Sequence, residues 1–96
     1  MKAAIISLGS VSSKWTAEAM RKYFDEVDEL NLKEMEVNVG KDGGEVLYKG
    51  EPIQKYDCVF AKGSFKYSSL LRSLTTVIKT NNPKVFLPTA PHAYTL

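Results

Sequence analysis

The chain opens on an almost unbroken apolar run, Ala3-Ala4-Ile5-Ile6-Ser7-Leu8, which stops at Gly9. A run without alternation suits a strand buried on both faces, as in a parallel sheet. Ser12 and Ser13 follow as helix caps, because a serine oxygen can accept a free backbone N–H. Trp15, Ala19, Met20, Tyr23 and Phe24 then recur at helical spacing up to Asp25. Val27 to Leu32 reads as a second strand. Met35, Val37 and Val39 alternate with Glu34, Glu36 and Asn38, the period of two that marks a strand with one wet face. Gly40-Lys41-Asp42-Gly43-Gly44 is a turn, Glu45 to Lys49 a returning strand, and Gly50-Glu51-Pro52 a second turn. Asp57 to Ala61 is another buried strand, closed by Lys62-Gly63-Ser64. Leu70, Leu71, Leu74, Val77 and Ile78 form the apolar stripe of a helix that Asn81-Asn82-Pro83 stops. Lys84 to Leu87 predicts a last strand, and 88–96 shows no period.

The predicted order is β-α-β, a hairpin, then β-α-β. Right-handed crossovers place helices on both faces of a mostly parallel sheet. The expectation is a three-layer, Rossmann-like α/β fold with parallel strands ordered 2-1-3-4, an antiparallel hairpin inserted, and the Cys58 strand third. The domain spans 1–88, and 89–96 is a tail. In open α/β sheets ligands bind beyond the carboxyl ends, where the strand order reverses. Gly9-Ser10 and Lys62-Gly63-Ser64 converge there.

At 96 residues this is one domain, long enough to bury a core unaided. Thirteen basic and eleven acidic residues are scattered along the chain, which argues against nucleic acid as a partner. No segment approaches the ~20 apolar residues of a membrane span. A single cysteine, Cys58, rules out an internal disulfide and fits a reducing, cytoplasmic home. Cys58 lies inside a strand and reads as a packed thiol. His92 stands without metal-binding partners, so no metal site is expected.

Two loops carry candidate chemistry. Gly9-Ser10 opens a helix, whose N-terminal N–H groups favour anions. It has neither GxGxxG nor a P-loop lysine, and turn-and-cap chemistry explains it as well. Lys62-Gly63-Ser64 puts a cation and a close-approach glycine at a strand end, where an ordinary solvated loop is the alternative. Arg72 sits beside the second helix's stripe, suited either to a carboxylate or to lying along the surface. No nucleophile–histidine–acid set is present, so no catalytic residue is assigned. The residues themselves indicate a binding module.

Val46 to Ile53, Tyr56 to Phe60, Lys62 to Phe65, Leu70 to Leu74 and Pro91 to Leu96 together resemble the N-terminal, pre-ATP-grasp domain of RimK-like ATP-grasp ligases, notably the archaeal members. That family joins a carboxylate to an amine, often of glutamate, through an acylphosphate. The resemblance implies that ATP and Mg²⁺ bind in domains beyond Leu96, with no cofactor in this chain. It implies a substrate-side role, with Gly9, Ser10, Lys62, Gly63, Ser64 and Arg72 facing a small-molecule acceptor. Many members carry arginine where Lys62 stands, and lysine lacks the bidentate grip. The expected partners are the ATP-grasp domains or a second copy in a homodimer, because the 86–96 tail carries apolar groups with no further element to cover them. A free-standing ligand- or anion-binding module is the alternative.

Overall fold

The computed structural model describes residues 1–40, 43–63 and 65–94. They form a small α/β domain with one parallel and one antiparallel sheet, each of three strands. Strand β1 (Lys2–Ser7) leads into helix α1 (Val11–Met20), then β2 (Glu26–Asn31). A 3-10 turn over Leu32–Glu34 precedes the hairpin of β3 (Met35–Gly40) and β4 (Gly43–Tyr48), and the two-residue β5 (Glu51–Pro52) joins β4. Strand β6 (Cys58–Ala61), a 3-10 turn over Phe65–Tyr67, helix α2 (Ser68–Asn81) and a last 3-10 turn over Pro91–Ala93 complete the chain.

The parallel sheet runs β2-β1-β6, with Ala4 opposite both Asp28 and Val59. β1 is therefore central and buried on both faces, as its unbroken apolar run requires. Side chains alternate across a strand. Ala4, Ile6, Val59 and Ala61 fall on one face and share the core with Leu71, Leu74 and Ile78 of α2. Ala3 and Ile5 fall on the other face, and α1 packs on β1 and β2. Helix α2 also meets β3 and β4, whose Met35 and Val46 complete the same core. One amphipathic helix thus closes both sheets. Its buried Thr75 hydroxyl is satisfied internally, donating to the Leu71 carbonyl at 2.6 Å.

Three expectations are corrected by packing. The predicted stripe on α1 is split: Trp15 is 72% and Tyr23 80% exposed, Met20 and Phe24 are half-buried, and the fully buried positions are Ser13 and Ala17. Small residues let this helix lie close on β1, and the large rings cannot fit there. The helix cap is Ser10 rather than Ser12 or Ser13; its Oγ accepts the Ser13 N–H at 3.2 Å. The strand expected over 84–87 is reduced to one parallel bridge, Cys58 to Phe86. Phe86 exchanges hydrogen bonds with Asp57 and Val59, but the Val85 carbonyl is taken by Lys79 Nζ at 2.8 Å. Pro83 and Pro88 bracket the segment and have no N–H to extend the ladder.

The segment after Pro88 folds back. Its 3-10 turn lies against α2, and Tyr94 packs on the core with its hydroxyl donating to the Ala61 carbonyl. None of the described helices is long and apolar enough to cross a membrane.

Candidate functional site: the crevice at the carboxyl ends of β1 and β6

The two glycine junctions leave adjacent parallel strands at the same end. β1 ends at Ser7, and the chain turns through Gly9 at φ +79°, a left-handed conformation that glycine adopts without strain. The Ser7 hydroxyl accepts the Gly9 N–H at 3.2 Å and holds the turn. Ser10 then caps α1. Its hydroxyl lies 2.8 Å from that of Ser13 and 3.1 Å from that of Ser12, so three serines form one hydroxyl cluster over the first helical turn.

On the neighbouring strand, the Lys62 N–H donates to the Ile6 carbonyl at 2.8 Å. That bond carries the β1–β6 pairing one residue past the strand end and pins the Lys62 backbone beside β1. Its side chain crosses to the serine cluster, where Nζ donates to Ser12 Oγ at 3.1 Å. Gly63 follows because the chain passes tightly between two core leucines. A Cβ there would lie 3.1 Å from Leu32 Cδ2 and 3.3 Å from Leu71 Cδ1.

Gly9, Ser10, Lys62 and Gly63 are therefore brought to one end of the sheet, through Ser12. Ser64 lies outside the described residues. Arg72 is placed apart, on the exposed face of α2, where its guanidinium makes no ion pair or hydrogen bond among the described residues. The sequence reading treated Ser12 only as a cap. Its pairing with Lys62 spans fifty positions and leaves no local signal.

The crevice presents one ammonium, a hydroxyl cluster and the start of a ten-residue helix. Ser10 supplies acceptors for the N–H groups of Ser13 and Lys14, and those of Val11 and Ser12 have no partner among the described residues. Free N–H groups, the helix dipole and a lysine all favour an anion. The arrangement can hold a carboxylate, but it offers no base or nucleophile positioned for chemistry.

Elsewhere the reactive side chains are sequestered or dispersed. The Cys58 thiol is buried, and burial pushes its pKa upward, away from thiolate chemistry. His92 falls in the last 3-10 turn, and its side chain lies outside what is described. Among the described residues no three His, Cys, Asp or Glu gather where they could hold a metal ion. Comparison with protein-family models finds no match to the chain, and comparison with curated proteins finds none either.

Proposed function

We propose that this domain is the N-terminal, substrate-side part of an ATP-dependent carboxylate–amine ligase of the RimK-like, ATP-grasp type, and that its crevice contacts the acceptor substrate. The observation that carries this reading is the Lys62–Ser12 bond, which joins the loops after two adjacent parallel strands. Supporting it are the β2-β1-β6 order and the single Phe86 bridge on the far side of β6, which are compatible with the expected 2-1-3-4 succession. ATP, Mg²⁺ and phosphoryl transfer belong, in this reading, to the ATP-grasp domains. The role of Gly9, Ser10, Lys62 and Gly63 is to bind and orient a carboxylate-bearing acceptor. Arg72 is exposed on α2, with no hydrogen bond to the crevice among the described residues, and carries no role in this reading.

Amide NMR with glutarate as probe tests the crevice. Saturable shifts are expected at Gly9 to Ser13 and at Lys62 and Gly63. Lys62→Ala should weaken binding about five- to tenfold, roughly 1 kcal/mol for one ammonium contact. Shifts spread over the surface, or the same affinity in the variant, refute the assignment.

A second reading, an interaction domain that pairs with another copy, is favoured by one observation. Val11, Trp15, Ala19 and Tyr23 recur every fourth residue along the outward side of α1 and its C-terminal extension, and all four are exposed. Sedimentation across a wide concentration range separates the readings, since the crevice needs no dimer.

A further inference from the structure

A hollow lies at the end of β6 opposite Lys62. It measures about 190 Å³. Val46 of β4, Val59 of β6 and Ile78 of α2, all buried, line it together with Tyr56. The segment Pro52-Ile53-Gln54 strings across one side, and a second hollow of about 220 Å³ lies along the same segment toward Asp28 and Glu51. The hollow opens to solvent past the exposed Glu45, Gln54, Lys55 and Asn81, and its floor is the three buried aliphatic side chains. Apolar cavities of ~150 Å³ stay dry and take up benzene-sized molecules. The volume admits a single ring or a short branched chain, and excludes a helix or nucleotide.

The polar groups at the rim define the rest of the ligand. Asn81 Nδ2 donates to the Gly44 carbonyl at 2.8 Å, and Asn82 Nδ2 to the Tyr56 carbonyl at 2.9 Å. Both amide nitrogens are spent on holding β4 and the Tyr56 segment against α2. The two Oδ1 atoms accept no hydrogen bond among the described residues. The Tyr56 hydroxyl is committed as well, donating to Asp28 at 2.7 Å. The rim thus offers these two acceptors and, from the exposed Gln54 and Lys55 that also line the hollow, hydrogen-bond donors.

We propose that this hollow is a binding site for a compact apolar group of benzene-ring size that carries one polar group able to hydrogen-bond at the rim. The walls come from three elements that the core already holds rigid, so the site exists before the ligand arrives. It is separate from the crevice at Lys62 and independent of how that crevice is used.

Two small probes test the assignment on the intact chain: phenol and toluene, followed by methyl and amide NMR. Phenol should bind in the ~millimolar range, as its few heavy atoms allow. It should bind about three- to tenfold more tightly than toluene, the difference one hydrogen bond makes. Intermolecular Overhauser contacts from phenol should fall on the methyl groups of Val46, Val59 and Ile78. Ile53→Trp fills the hollow from its half-buried lip and should abolish binding, with the other amide shifts retained. If that variant does not fold, the Overhauser contacts in the unmodified protein decide alone. Unsaturated shifts up to the solubility limit of phenol overturn the proposal, as do contacts centred on Trp15 or a toluene affinity equal to that of phenol.

Discussion

Replacing Tyr56 by phenylalanine removes a single oxygen from a ring that is only 4% exposed. The ring volume stays, so no cavity opens. What is lost is the hydrogen bond to Asp28 Oδ2 at 2.7 Å, which ties the segment entering β6 to β2 across the face of β1. Bonds to a charged acceptor contribute ~1.5–3 kcal/mol. Asp28 is half-buried, so water can replace part of the lost bond, and the expected loss is about 1–2 kcal/mol. Urea titration at pH 7 followed by far-UV circular dichroism measures it. Fluorescence is the wrong probe, because Trp15 is already solvated in the native state. The pH dependence gives an independent check. Burial, and then the hydrogen bond to the Asp28 carboxylate, push the Tyr56 hydroxyl far above the ordinary tyrosine range. Unfolded tyrosine ionises near pH ~10. Above that pH the unfolded state has lost a proton that the native state keeps, so stability falls as pH rises, by up to ~1.4 kcal/mol per unit. The phenylalanine variant has no such proton. The gap between the two proteins, about 1–2 kcal/mol at pH 7, should shrink above pH ~10 and close near pH ~11. A gap that stays constant from pH 7 to 11 refutes the claim that the folded state holds this proton. No gap at pH 7 refutes the claim that the bond stabilises the fold.

Two further outcomes follow from single positions. Gly9→Ala should cost about 1 kcal/mol, because φ is +79° although nothing crowds the added Cβ. That is a drop of roughly 4–8 °C in melting temperature, and an unchanged midpoint would show that the turn adjusts freely. The Cys58 thiol, buried in β6 and with its pKa raised by burial, should react with a disulfide reagent at pH 8 at least about a hundredfold more slowly in native protein than in urea. Comparable rates would mean that this edge of the sheet opens readily.

Much of the architecture was legible from local pattern. The unbroken run Ala3 to Leu8 suits a strand covered on both sides, and β1 is the central strand with a helix packed on it and α2 sharing the opposite core. The stripe Leu71, Leu74 and Ile78 has one period and one face, and α2 buries that face. The glycine junctions after β1 and β6 were also visible, because parallel strands and right-handed crossovers send both loops to one end. α1 was misread because its pattern is ambiguous. Both Trp15–Ala19–Tyr23 and Ser13–Ala17 recur every fourth residue, and hydrophobicity alone prefers the wrong set. Which set turns inward depends on how close the helix must come to β1, a distance that no local window contains.

The composition and period of the chain by themselves determined the α/β class, the order of elements and the place where two loops meet, since each follows from short-range sterics and the burial of one face. Tertiary structure decided the rest. The strand over 84–87 became a single bridge at Phe86, and the Val85 carbonyl, which faces away from β6, is bound by Lys79 in the last turn of α2. The tail found cover on its own domain because Ala61 left a carbonyl within reach of Tyr94. Lys62 turned toward Ser12, and a hollow remained among Val46, Val59 and Ile78. Each of these outcomes depends on groups far apart in the chain competing for the same partner or the same space, and that competition is settled only when the elements pack.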